Sequence, residues 1–171
     1  GWDTFRFNRL RINDTLADST HDLKEEITRL KKAGYRRMVL AGQSTGRWFT
    51  AMVAGEDDDI DAIVVIAPAI FGCYNPEAPE NYQRNATFFY PLLEKVRRAR
   101  VMLFYFAGDG CDPGGRGPRS REILTMRELP NLVIDQPAGL GVTNHFTAGT
   151  ASFNKKFGGC ILGFISANYV G

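Results

Sequence analysis

The sequence predicts an α/β fold: a mostly parallel sheet of about five strands flanked by helices. Short continuous apolar runs at 37–41, 62–67 and 101–106 have the character of strands covered on both faces. Segments between and after them carry apolar residues at helical spacing, and glycine-rich loops follow the runs, so strand and helix alternate along the chain. The 171 residues, 44% of them hydrophobic and 23% charged, suffice for one core and rule out a disordered chain. A single domain over 1–171 is expected.

Residues 2–7 alternate aromatic side chains with Asp and Thr and suit a short first strand, followed by a polar stretch with Asn13, Asp14 and Asp18. Ser19 stands three residues before Asp22, at the head of a Leu23, Ile27, Leu30 stripe that stops at Gly34. A capped amphipathic helix over 20–33 follows. The run at 37–41 enters Gly42 as a strand, and Trp48, Ala51 and Met52 mark a helix over 47–54. After the strand at 62–67, residues 73–83 hold two prolines and two asparagines and read as a loop. Phe88, Leu92, Leu93 and Val96 then mark a helix ending in Arg97, Arg98 and Arg100, whose charges suit a helix C-terminus. Beyond the strand at 101–106 come a helix near 119–129, a short strand at 132–134 and a glycine-rich loop over 137–150. Phe153, Phe157, Cys160, Ile161, Phe164 and Ile165 give the closing helix a wide apolar stripe. The sum is five strands and about five helices, with loops gathered at the strand C-terminal ends.

Lys plus Arg number 21 against 19 for Asp plus Glu, a net charge of +2, which is too small a footprint for a phosphate backbone. No apolar stretch reaches the roughly 18–20 residues of a membrane span. Neither nucleic acid nor membrane is an expected partner, and the protein is expected to be soluble. Of three cysteines, Cys73 and Cys111 both follow strands expected to be neighbours, so a disulfide and two free thiols are both open; an odd count leaves one thiol unpaired. The chain begins at Gly1 without a basic-then-apolar signal segment, which leaves a processed form and a fragment open and the compartment unassigned. Glu56 to Asp59 is a solvated acidic loop without calcium-loop spacing. The glycines at 108–117 and 139–141 lack a nucleotide-cradle pattern.

The chemistry concentrates in Gly42-Gln43-Ser44-Thr45-Gly46, between a strand and a helix. A serine on so strained a turn needs small residues at minus two and plus two, and it is presented there as a nucleophile. Serine needs a base, and His21 and His145 are the two imidazoles. His21, in the first turn of the first helix, reads as solvated or capping. His145, in the loop after the last strand, shares the sheet edge with Ser44 and is the base. The acid comes from the loop at 108–113, where Asp109 and Asp112 compete and either suits a turn. The order along the chain is Ser, Asp, His.

On these residues, on Ile63-Val64-Val65-Ile66-Ala67-Pro68-Ala69 and on Asn144-His145-Phe146, the chain resembles the α/β-hydrolase superfamily, especially its small serine esterases and dienelactone-hydrolase-like members. The resemblance implies a carboxylic ester hydrolase working through an acyl-enzyme. Ser44 would be its nucleophile, His145 its base, Asp109 its acid with Asp112 the alternative, and the Thr45 backbone N–H an oxyanion donor; no metal or organic cofactor is implied. Its acid register before Pro113 favours Asp109.

The chain departs from the family pattern at two places. No loop of the His-Gly-Gly kind precedes residue 2 to give a second oxyanion donor, and residues 2–7 look like the family's fourth strand. The chain is therefore expected to be shortened, with part of one sheet face left for a missing N-terminal segment or a second copy to cover. Arg47 stands where a small residue usually follows the serine turn, and reads as a solvent-facing helix residue or an anion contact. Trp2, Trp48, Phe71, Tyr74 and Phe146 are pocket or core aromatics. The rival to an ester hydrolase is a non-catalytic α/β binding or assembly module that keeps the serine turn as a relic.

Overall fold

The computed structural model describes residues 1–8, 15–112, 114–136 and 144–167. It divides into two compact units, Gly1–Arg36 and Arg37–Gly171.

In the first unit, residues 1–8 form no strand, contrary to the expectation for 2–7. An alternating pattern makes a strand only where another strand completes its ladder, and here the aromatics pack locally. Phe5 meets the Tyr35 ring edge-on at 5.2 Å, and the Tyr35 hydroxyl donates to Asp3 Oδ2 at 2.8 Å. Helix α1 (Leu16–Lys32) starts earlier than the expected 20–33 because its cap is Thr15, not Ser19. Thr15 Oγ1 accepts from the Asp18 N–H at 3.1 Å, and Asp18 Oδ2 accepts from the Thr15 N–H at 3.0 Å, a reciprocal pair that satisfies two otherwise orphaned donors. Leu23, Ile27 and Leu30 are buried as the stripe requires. His21 is exposed, 3.4 Å from Glu25 one turn on.

The second unit runs β1 (Val39–Gln43), α2 (Gly46–Glu56), β2 (Ala62–Ile66), α3 (Pro79–Thr87), α4 (Tyr90–Lys95), β3 (Arg100–Phe106), α5 (Gly117–Met126) and β4 (Asn131–Gln136). A 3-10 turn (Thr147–Gly149) and α6 (Ala151–Ser166) complete it. The sheet is parallel in the order β1-β2-β3-β4, four strands among the described residues where about five were expected. Gly42 pairs with Val65, Val65 with Leu103 and Leu103 with Val133, so one row crosses the sheet and the four carboxyl ends open on one rim. Helix α3 occupies part of the expected loop at 73–83: Pro79 opens it at a position where a missing N–H costs nothing. The helix expected around Phe88 to Val96 is confined to α4, with Pro91 in its first turn.

Alternation along β3 divides the core between the two faces. Met102, Phe104 and Phe106 pack with Val64, Ile66 and the α6 side chains Phe153 and Phe157, the Phe104 ring lying 5.1 Å from Phe157 and 5.3 Å from Phe153. The other face carries α2 on β1 and β2, and α5 on β3 and β4, with α4 between the two helices. There the buried Tyr105 hydroxyl meets Ser120 Oγ at 2.7 Å. The α6 stripe is narrower than expected: Phe153 and Phe157 are buried, but Cys160 is exposed as a free thiol. The glycines at 139–141 lie outside the described residues. No described helix is long and apolar enough to cross a membrane.

Candidate active site

Ser44 sits between β1 and α2 with φ 56, the left-handed region that a side chain rarely adopts and that marks a strained turn. Gly42 makes this turn possible, since a Cβ there would lie 2.7 Å from the Gly46 carbonyl carbon and 2.9 Å from the Arg47 nitrogen. The crowding is one-sided. A Cβ on Gly46 would meet nothing within 4 Å, so the requirement for a small residue at plus two is not met in the way the sequence suggested.

The three strand ends bring Ser44, His145 and Asp109 into one line. Ser44 Oγ is 2.8 Å from His145 Nε2, and His145 Nδ1 is 3.1 and 3.0 Å from the two carboxylate oxygens of Asp109. A carboxylate only accepts, so Nδ1 carries the ring proton and Nε2 is left to accept from the serine hydroxyl. The Ala69 carbonyl, 3.3 Å from the same oxygen, is the alternative acceptor for its single proton. His145 and Asp109 are buried, 5% and 3% exposed, in keeping with a polar pair shielded from water.

Each member is held by its neighbours. Asp109 Oδ1 accepts the backbone N–H groups of Cys111 at 2.7 Å and Asp112 at 3.1 Å. Asn144 Oδ1 accepts from the Phe146 N–H at 3.0 Å, a side-chain turn across His145, and the Gln43 amide donates to the His145 carbonyl. Asp112, the alternative acid, lies against Arg116 Nη2 and not on His145. Burial pushes its carboxyl up to about 7, against the downward pull of Arg116 and Arg47.

Two residues that the sequence did not single out organise the surrounding loops. Asn85 is fully buried. Its Oδ1 accepts the N–H groups of Ile70 at 2.7 Å and Phe71 at 2.8 Å, while its Nδ2 donates to the carbonyls of Gly72 at 2.9 Å and Cys111 at 2.7 Å. Arg116 donates to the Asn85 carbonyl at 2.9 Å and the Pro68 carbonyl at 3.0 Å, with its guanidinium 4.8 Å over the Tyr105 ring. Neither residue belongs to a motif; the signal is the topology, visible only once the loops after β2 and β3 are neighbours.

Arg47 corrects the expectation of a solvent-facing residue. It is fully buried, its guanidinium makes no hydrogen bond among the described residues, and burial drives it well below its ordinary range. The turn at Ser44 aims the first residues of α2 inward, which the helical pattern alone did not reveal. Trp48 is core, 5.7 Å from the Phe71 and Phe89 rings, whereas Trp2 and Tyr74 are exposed.

A small pocket of about 210 Å³ opens over Ser44, lined by Thr45, Ala69, Ile70, Cys73, His145 and Phe146 among others. Cys73 and Cys111 form a disulfide in its wall, which decides between the two open alternatives. Asp109, Cys111 and His145 are, among the described residues, the group whose ligand atoms lie close enough to hold a metal ion.

No protein-family model matches the sequence, and no curated protein matches it. Solved structures do. An acylaminoacyl peptidase of Pyrococcus horikoshii superposes with TM-score 0.62 at 16% identity, over 90% of this chain and 29% of its own. An esterase of Pyrococcus furiosus gives 0.65 at 17% identity, over 91% and 64%. A puromycin-hydrolyzing peptidase of Mycobacterium tuberculosis gives 0.64 at 13% identity, over 91% and 26%. The chain thus spans less than two thirds of the length of each of these structures. They are α/β-hydrolase family members, and the shared backbone identifies this as the α/β-hydrolase fold.

Proposed function

We propose that this protein is a serine hydrolase that cleaves a small carboxylic ester. The observation that carries the reading is the unbroken contact from Ser44 Oγ through the His145 ring to Asp109, 2.8 Å and 3.0 Å on its two sides. Serine is unreactive at neutral pH without a base in hydrogen-bond reach and a third group to orient that base, and these distances satisfy both needs. In the proposed reaction Ser44 Oγ attacks the acyl carbonyl as His145 Nε2 takes its proton. The imidazolium, oriented by Asp109, returns that proton to the leaving alcohol. Water then repeats the sequence on the acyl-enzyme. The Thr45 N–H, just before the N-terminus of α2, donates to the developing oxyanion, a contribution typically worth roughly 3–4 kcal/mol.

The pocket volume of about 210 Å³ supports a short acyl group. All three residues lie in the Arg37–Gly171 unit, so the proposed site belongs to that unit alone. The test is hydrolysis of a short-chain nitrophenyl ester: Ser44→Ala should remove activity by a factor of about 10³ or more, and a fluorophosphonate should label Ser44 covalently. Equal rates for the two proteins, or no labelling, would leave the relic module as the better reading.

A further inference from the structure

Next to the hydroxyl, imidazole and carboxylate stands a disulfide that the proposed hydrolysis does not use. Cys111 follows Asp109 by two residues and donates its N–H to Asp109 Oδ1, and Cys73 and Cys111 both line the pocket that holds Ser44 and His145. One carboxylate oxygen of Asp109, the Sγ of Cys111 and one ring nitrogen of His145 lie within 4.8 Å of one another, and all three residues are buried. The Cys73 sulfur is one bond farther. Two sulfurs, an imidazole and a carboxylate are a donor set for a borderline-soft divalent ion such as zinc. Disulfide sulfurs are not thiolates, so the oxidised protein lacks half of that set.

We infer that the Cys73–Cys111 disulfide gates a metal site: once reduced, its two thiolates bind one zinc-class divalent ion together with Asp109 and His145. A dithiol delivers two electrons and two protons to the disulfide and closes to its own disulfide. Binding the ion then releases the two thiol protons to solvent. Tetrahedral zinc holds S and N donors about 3.5 Å apart, so the observed separation closes by side-chain movement of roughly 1 Å. The bound ion engages the ring and carboxylate that serve Ser44, so the loaded protein does not hydrolyse esters. That last clause rests on the proposed function; metal binding does not.

The test uses full-length protein carrying Cys160→Ser, which removes the exposed third thiol. The protein is reduced with a phosphine, desalted without oxygen and titrated with Co²⁺. Thiolate-to-cobalt charge-transfer absorption should appear at one ion per chain, be absent from the oxidised protein and be displaced by Zn²⁺. Affinity should fall roughly tenfold or more in His145→Ala, and the absorption should vanish when both Cys73 and Cys111 are replaced by Ser. A reduced protein that keeps its circular dichroism yet shows no such band would overturn the proposal. So would a band undiminished by His145→Ala, or loss of the native spectrum on reduction alone. Ester hydrolysis should stop only in the reduced, zinc-loaded protein. If the parent hydrolyses no ester, the proposed function fails while the cobalt titration still decides this one.

Discussion

Gly42 and Gly46 look equivalent in the serine turn and are not. A methyl group at Gly42 collides with backbone at 2.7 Å, where nothing soft can yield, whereas one at Gly46 enters open space. Gly42→Ala should therefore destabilise the protein by roughly 1–3 kcal/mol and displace Ser44. Gly46→Ala should leave stability within about 1 kcal/mol and gain from better helix propensity. Urea melts of the two variants check the contrast, and equal losses would refute it. The two aspartates differ as sharply. Asp109→Asn should lower kcat by about 10³–10⁴, because an amide at that position supports the wrong imidazole tautomer. Asp112→Asn should cost far less, since Asp109 uses only the backbone N–H of residue 112. Steady-state rates on one ester decide.

The elements arrange these residues because four parallel strands end together, and two loops are then sewn to each other by Asn85. Its amide satisfies four backbone groups from the segments after β2 and β3. Asn85→Ala would leave buried donors and acceptors unpaired and should cost roughly 2–4 kcal/mol. It should also lower kcat, because the Cys111 segment that supports Asp109 loosens. Unchanged unfolding midpoints would contradict the assignment. Strands β2 and β3 were legible in the sequence because burial on both faces leaves an uninterrupted apolar run, and the serine turn because its glycine sits where no side chain fits. Residues 2–7 misled, since alternation says nothing of whether a ladder partner exists, and α3 was hidden by a proline that opens a helix as readily as it breaks one. Asn85 and the burial of Arg47 were illegible for a different reason. Their environments are made by segments far apart in the chain.

For the molecule as a whole, Asp112 imposes a pH dependence on folding. Its carboxyl ionises near 3.8 when exposed and is pushed up to about 7 by burial. Between those values the folded state holds a proton that the unfolded chain releases, so stability falls as pH rises from about 4 to about 7. The loss from this group is about 4 kcal/mol at most. Chemical denaturation across that range should show the slope, and Asp112→Asn should flatten it; an identical slope in the variant would rule this origin out. The candidate site has a mechanical counterpart to this global coupling. The amide of Gln43, immediately before Ser44, grips the main-chain carbonyl of His145. Any motion that carries the imidazole segment away must tug on the serine turn, and any relaxation of that turn slackens the imidazole. Ser44 and His145 therefore share a tether, and amide exchange at residues 43 and 145 should rise and fall in step.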